Sequence, residues 1–162
     1  MRMRIGLGLT VAVALGAAMA FLGAPRSPAV AQAASPVLGH WLSQERDGVI
    51  DIQACGDKLC GRLIWIKDPL DKDGKPRVDN NNPKPELRNR PRCNLVIMGG
   101  FVPTGTDKWG DGWIYDPNNG STYDAKMRLD GEVLKLRGFI GISLIGRSTT
   151  WTRADPALVN CS

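Results

Sequence analysis

The sequence predicts an all-β fold, a single antiparallel up-and-down barrel of eight strands. Short segments that alternate apolar and polar residues follow one another along the chain, and tight turns rich in Gly, Asn and Asp separate most of them. No helical period persists long enough to indicate a helix. Such a meander has two exposed edges unless it closes on itself. We therefore expect a closed barrel, with a two-sheet sandwich as the alternative.

The first 33 residues are predicted to be a signal peptide. Arg2 and Arg4 precede an apolar, uncharged run over residues 5–24, and Ala31-Gln32-Ala33 has the small-x-small pattern of a cleavage site. An uncleaved anchor is the alternative, because the run approaches the length that spans a bilayer. We expect cleavage, a periplasmic location, and one barrel domain over residues 34–162.

The charge balance argues against nucleic acid as a partner. The chain carries a formal net charge of +5, but residues 1–33 contain three of its 21 basic residues and none of its 16 acidic ones. Cleavage would leave 18 basic residues against 16 acidic ones, which is too small an excess for a typical nucleic-acid-binding surface.

Alternation and turn residues place the eight strands. The predicted ranges are 38–44, 49–54, 59–66, 94–102, 112–115, 122–129, 134–140 and 145–153. The Asp47-Gly48 turn joins the first two strands, and Asp130-Gly131 joins the sixth and seventh into a hairpin with one polar and one apolar face.

The chain ends supply the reason for preferring a barrel to a sandwich. Gly39 and Trp41 lie on the first predicted strand and Arg153 lies on the last. If these strands are neighbours, the Arg side chain lies across the Trp ring, where cation–π attraction and burial of its stem favour it. Gly39, Trp41 and Arg153 are therefore the predicted closure of the barrel.

One segment, residues 67–92, interrupts the strand pattern and is rich in Pro, Asp, Asn and Arg. Long loops in compact domains are usually functional or disordered, and this one would fall at a rim of the barrel. A calcium loop aligned on Gly74 fails, because Pro69 then occupies the first ligand position. The candidate ligand-binding residues instead offer oxygen ligands or guanidinium groups that bind anions: Asp79, Asn81, Arg88 and Arg90. The alternative is a solvated loop held by proline and internal ion pairs.

Four cysteines in an exported chain predict two disulfides, with three pairings open. We favour Cys55–Cys60 across a hairpin and Cys93–Cys161 at the C-terminus. A zinc site is the alternative, but the cysteines lack paired ligand spacing, so no metal is expected.

Five tryptophans are the largest apolar side chains of the chain. Trp109 and Trp113, flanked by glycines, are expected near a barrel mouth, where aromatic residues often line a ligand site. An eight-stranded barrel holds one small ligand or is filled by its own side chains. The filled alternative requires the inward residues of the sixth and seventh strands to meet across the interior, namely Tyr123, Met127, Leu134, Leu136 and Ile140.

The sixth and seventh strands also predict a basic stripe. Lys126 and Arg128 would face Lys135 and Arg137 on the polar side of the hairpin, where they could meet a lipid head group. An ordinary charged surface is the alternative.

Five runs in order along the chain resemble the bacterial family called domain of unknown function 2147: CGDKLCGRLIWIKDP, GKPRVDNNNPKPELRNRP, GGFVPTG, WGDGWIYDPNNGSTYDAKM and LRGFIGISLIGRSTTWTR. The resemblance implies an exported barrel of the lipocalin/calycin kind. It implies no activity.

These observations favour a periplasmic binding protein for an apolar or amphiphilic envelope ligand such as a lipid. The alternative is an envelope structural or interaction protein with a filled barrel, which contacts another envelope protein or an anionic membrane surface. The sequence has no Gly-x-Ser-x-Gly, no paired metal-binding histidines and no phosphate loop, so we expect no catalytic residues and no cofactor. A hydrolase is the third alternative, after the two binding proteins.

Overall fold

Each strand of the chain pairs antiparallel with the next, and the last pairs with the first. The strands are β1 (Gly39–Leu42), β2 (Gly48–Cys55), β3 (Lys58–Ile66), β4 (Val96–Gly105), β5 (Lys108–Asp116), β6 (Ser121–Asp130), β7 (Val133–Phe139) and β8 (Gly146–Arg153). Together they form a closed barrel. The predicted all-β, eight-stranded, up-and-down barrel is confirmed.

The structure is a computed structural model that describes residues 35–158 and residue 161. The predicted signal peptide, residues 1–33, lies outside the described residues. Within the described range, the helical content is one 3-10 turn, Pro85–Leu87. None of the described residues belongs to a helix with the length and apolar character needed to cross a membrane.

The predicted strand boundaries are least accurate at the β4–β5 hairpin. The strand β4 continues through Pro103 to Gly105, and β5 begins at Lys108, four residues earlier than predicted. The predicted ranges leave residues 103–111 outside any strand, and Pro103 lacks the N–H that a strand ladder needs. In the structure Pro103 lies beside a register shift, where the ladder is already interrupted.

The barrel closes through the predicted contact between the chain ends. Trp41 is fully buried and pairs with Arg153 across the β1–β8 seam. The Arg153 guanidinium carbon lies 3.9 Å from the centroid of the Trp41 ring. Its nitrogens donate to the carbonyls of Leu38, at 2.9 Å, and Pro36. The guanidinium thus binds the segment that precedes β1 as well as the Trp ring.

The two ends of the barrel differ. One end, which we call the closed end, holds the start of β1, the end of β8 and the turns after β2, β4 and β6. There Val37 and Trp41 have no exposed surface, and the Trp41 indole N–H donates to the Val37 carbonyl at 2.8 Å. The opposite end, which we call the mouth, holds the connections after β1, β3, β5 and β7.

Both disulfides have the pairing predicted from the sequence. Cys55–Cys60 links the two strands of the β2–β3 hairpin at the closed end, and Cys93–Cys161 ties the C-terminal segment to the residues just before β4. All four cysteines are therefore oxidised. The alternative of a zinc site required free thiolates, and these cysteines provide none.

Candidate functional site

A cavity of about 870 Å³ opens at the mouth of the barrel. Its wall is largely aliphatic, because apolar positions of five strands turn toward it: Ile50, Leu63, Ile97, Ile114 and Leu136. Met127 and Leu134 are buried, as a filled interior requires, but Tyr123 and Ile140 line the cavity instead of closing it. The filled-barrel alternative therefore describes the closed end and not the mouth.

Gly138 explains part of this open space. It lies in β7, and a Cβ atom built on it would be 3.5 Å from Tyr123 Cβ and 3.7 Å from Ile114 Cγ2. Both neighbours line the cavity, so a side chain at position 138 would enter it. The absence of a side chain at position 138 therefore helps to keep the cavity open.

The rim of the cavity is polar. Asp116, Asn118 and Asn119 of the β5–β6 turn border it on one side, and Arg92 and Arg147 also line it. The Arg147 side chain is exposed and makes no hydrogen bond or ion pair with another described residue. An apolar wall below a polar rim suits a molecule with an apolar body and one polar end.

The long loop is held against the barrel by a buried polar cluster, which we call the latch: Asp79, Asn82, Arg90 and Tyr115. The Asp79 side chain has no exposed surface and pairs with Arg90 at 2.8 Å. It also accepts the Tyr115 hydroxyl at 2.6 Å and the Asn82 amide at 2.8 Å. Burial, together with the hydrogen bond to Asp79, raises the pKa of Tyr115.

A second set of contacts joins the loop to the β5–β6 turn. The Asn81 amide donates to the Asn118 carbonyl, and the Arg92 guanidinium donates to the Pro117 carbonyl, each at 2.8 Å. Gly120 has a φ of +73° and lies against the Asn81 backbone, where any Cβ atom would clash with the Asn81 carbonyl. The turn and the loop therefore fit together only with glycine at this position.

The loop residues predicted to bind a ligand hold the loop together in the structure. Asp79 and Arg90 belong to the latch, Asn81 binds the β5–β6 turn, and the Arg88 guanidinium donates to the Asn82 carbonyl at 2.8 Å. None of these four lines the mouth cavity. The alternative, a loop stabilised by its own polar contacts, matches this geometry.

The expected position of Trp109 and Trp113 near a barrel mouth that binds a ligand needs correction. Trp109 follows the β4–β5 turn, which lies at the closed end, and is only 6% exposed. Trp113 is 37% exposed, packs against Gly99 and Gly100 of β4, and does not line the mouth cavity. Because the start of β5 was misplaced by four residues, the sequence put Trp109 in a loop.

The predicted basic stripe borders a groove of about 610 Å³ on the β5–β8 side of the barrel. Lys126 pairs in register with Arg137, and Arg128 pairs with Lys135. We call these four residues and Lys108, which also lines the groove, the basic groove. Lys135 donates to Asp130 at 2.7 Å, and this hydrogen bond lowers the pKa of Asp130.

The β7–β8 loop bears four exposed apolar side chains: Ile140, Ile142, Leu144 and Ile145. The sequence predicted a position only for Ile140, which was expected to point into the barrel. Ile140 and Ile145 also line the mouth cavity, whereas Ile142 and Leu144 line neither cavity. The signal in the sequence is an apolar run between Phe139 and Gly146 that is interrupted by Gly141 and Ser143.

Comparison with known proteins gives a solved structure of similar fold and a sequence family that the chain matches. One solved structure superposes with a TM-score of 0.63, at 21% identity over 74% of this chain and 84% of the other: "Protein HP1028 from the human pathogen Helicobacter pylori belongs to the lipocalin family". None of the curated proteins compared with the chain matches it.

The family comparison covers all eight strands of the barrel. The sequence model described as "Uncharacterized protein conserved in bacteria (DUF2147)" matches residues 39–153, from the first residue of β1 to the last residue of β8. On this match the chain belongs to the DUF2147 family of bacterial proteins.

Proposed function

We propose that this protein is a periplasmic carrier that binds one amphiphilic molecule, such as a lipid or fatty acid, in the mouth cavity. The observation that supports this best is the cavity itself. Its volume of about 870 Å³ lies within the range of small-molecule sites, and it combines an aliphatic wall with a polar rim. The lipocalin-like fold is compatible with such a site.

The polar rim suggests how the ligand is oriented. The aliphatic wall offers no partner for a charged group, so the tail would lie along Leu63, Ile97 and Leu136. Arg147 is the rim cation without a partner among the described residues, and it would attract an anionic head group. A carboxylate or phosphate on one apolar chain is therefore the ligand chemistry that we propose.

Two features support export. Disulfides persist in oxidising compartments, and both pairs of cysteines are bonded. Residues 1–33 have the charge, apolar run and cleavage pattern of a signal peptide. We propose that this segment is removed and that the barrel works in the periplasm.

Filling the cavity tests the ligand site. The probe is 11-(dansylamino)undecanoic acid, whose emission rises and shifts to the blue in an apolar site. Gly138→Leu should lower its affinity by about tenfold or more, because the new side chain occupies the cavity. Gly138→Ala is the matched control and should bind almost as well as the wild type, since its Cβ makes only ordinary contacts.

Equal binding by the wild type and Gly138→Leu, with both variants folded, would mean that the probe binds elsewhere. Native mass spectrometry of the protein recovered from its own host's envelope then tests export and cargo together. We expect the mass of residues 34–162 less four hydrogens, with a lipid-sized adduct. A mass that includes residues 1–33 would contradict cleavage.

A further inference from the structure

We infer that the β7–β8 loop docks this protein on an anionic phospholipid membrane. The docking surface comprises the apolar tip of the loop and the cations beside it. This inference goes beyond ligand binding, because the loop would reach a membrane whether or not the cavity holds a molecule.

The apolar tip is the first observation. Ile140, Ile142, Leu144 and Ile145 are between 59% and 85% exposed within six consecutive residues. Large apolar side chains scattered singly over a surface are ordinary, but a contiguous group of them marks an interaction site. Ile142 and Leu144 do not line the cavity, so ligand binding would not account for their exposure.

The loop is held in this exposed position by hydrogen bonds from the strands beneath it. Arg137 donates from Nε to the Ser143 carbonyl at 2.7 Å and from Nη2 to the Leu144 carbonyl at 3.0 Å. Lys126 donates from Nζ to the Ser143 hydroxyl at 3.1 Å. These bonds satisfy polar groups of the loop that would otherwise resist transfer toward a lipid phase.

The charge around the tip selects the partner. Arg137, Lys126 and Arg147 lie beside the loop, and no acidic residue occurs in the sequence from Val133 to Ala154. Anionic lipids attract such cations by about 1 kcal/mol for each Lys or Arg near the surface. A second copy of this chain is the weaker candidate, because a two-fold contact through the loop would place these cations against themselves.

The acidic residues near the mouth set the orientation. Glu45 and Asp47 line the mouth on the β1–β2 turn, and the exposed Asp124 of β6 pairs in register with Phe139. We expect the barrel to tilt toward the basic groove, which moves Glu45 and Asp47 away from the bilayer. Because Ile140 and Ile145 belong to the tip and also line the cavity, the mouth then opens next to the lipid.

A fluorophore placed on the loop tests the docking directly. All four native cysteines are in disulfides, so Leu144→Cys provides one thiol for the environment-sensitive dye NBD. With vesicles of phosphatidylcholine and phosphatidylglycerol, we expect a blue shift and an emission increase of about twofold or more at position 144. Thr106→Cys, exposed in the β4–β5 turn at the closed end, is the matched control and should show neither.

Charge substitutions complete the test. Ile142→Asp combined with Leu144→Asp should reduce binding to these vesicles by about tenfold or more, because two apolar side chains no longer enter the lipid. Arg147→Gln should weaken the preference for phosphatidylglycerol over pure phosphatidylcholine. The double variant should lose vesicle binding but still bind the dansyl fatty acid. Gly138→Leu should lose fatty-acid binding but still bind vesicles, so the two variants distinguish docking from ligand binding.

Two results would overturn the inference. One is an unchanged NBD spectrum at position 144 when vesicles are added. The other is a blue shift without vesicles that grows with protein concentration, which would mean that the loop contacts a second copy of the chain.

Discussion

The closed end and the mouth of the barrel differ in how they use apolar side chains. At the closed end Val37 and Trp41 have no exposed surface, and the Arg153 side chain covers the Trp ring. At the mouth the aliphatic wall borders a cavity, and the neighbouring loop exposes Ile142 and Leu144. The contrast teaches that packing at one end can hold the barrel together while the other end keeps an open cavity.

Truncation of Trp41 should have the largest effect on stability. Trp41→Ala removes the largest fully buried side chain and the surface that Arg153 covers, so we expect the free energy of unfolding to fall by about 3–5 kcal/mol. Ile145→Ala at the mouth should change it by less than about 0.5 kcal/mol, because that side chain is 72% exposed. Denaturant titration followed by circular dichroism measures both. An equal loss of unfolding free energy in the two variants would contradict the conclusion that the closed end stabilises the barrel more than the mouth does.

The latch should give an intermediate effect. Asp79→Ala leaves the Tyr115 hydroxyl and the Arg90 guanidinium without their buried partner, so we expect a loss of about 2–3 kcal/mol. The figure is below that of a fully buried pair, because the Arg90 side chain is partly exposed to solvent.

The exposed Asp68 provides a control within the same loop. Asp68→Ala should leave the denaturation midpoint unchanged and should not alter cleavage of the loop by trypsin, whereas Asp79→Ala should accelerate that cleavage. If the two variants behaved alike, the latch would not hold the loop.

The Tyr115 hydroxyl should stabilise the fold less than the Asp79 carboxylate does, and its contribution should depend on pH. Tyr115→Phe should cost about 1 kcal/mol at neutral pH, through the lost hydrogen bond to Asp79. Because the folded state raises the pKa of Tyr115 above its ordinary value of 10.0, the folded protein retains that proton to higher pH than the unfolded chain does. The stabilisation that comes from keeping Tyr115 protonated is therefore complete below about pH 10, and it is lost as the pH rises through the pKa of Tyr115 in the folded state.

Denaturant titrations between pH 8 and pH 11 measure this slope. Above pH 10 the free energy of unfolding should fall more steeply for the wild type than for Tyr115→Phe. Tyr123→Phe is the matched control, because that hydroxyl lies at the exposed β5–β6 turn, and it should retain the slope of the wild type. A slope that persists in Tyr115→Phe would assign the alkaline effect to another group.

The closed end was predictable from the sequence because it depends on strand order. Alternation and turn residues determine which strands are neighbours, and they place Gly39, Trp41 and Arg153 together without any knowledge of the loops. The Cys55–Cys60 pair was predictable for the same reason, since a hairpin brings its two strands into register.

The mouth was not predictable to the same degree, because it depends on contacts between distant segments. Asp79 and Tyr115 are 36 residues apart, and nothing local to either indicates that they meet in a buried hydrogen bond. Polar loop residues therefore suggested a ligand site where the structure has a latch. The alternation of Leu134, Leu136 and Ile140 places Gly138 on the inward face, but the open space beside Gly138 depends on neighbouring strands and is not visible in the sequence.

The seam between β1 and β8 has a consequence for how this protein folds. The seam pairs only Trp41 with Arg153 and Leu42 with Thr152, and Arg153 lies 115 residues from the Leu38 carbonyl to which it donates. Joining such distant residues costs loop entropy, which is repaid only once the intervening hairpins have formed. We expect the hairpins to assemble first and the seam to close last. A growing chain would therefore keep an open sheet edge until synthesis passes residue 153, and it would need protection from aggregation until then.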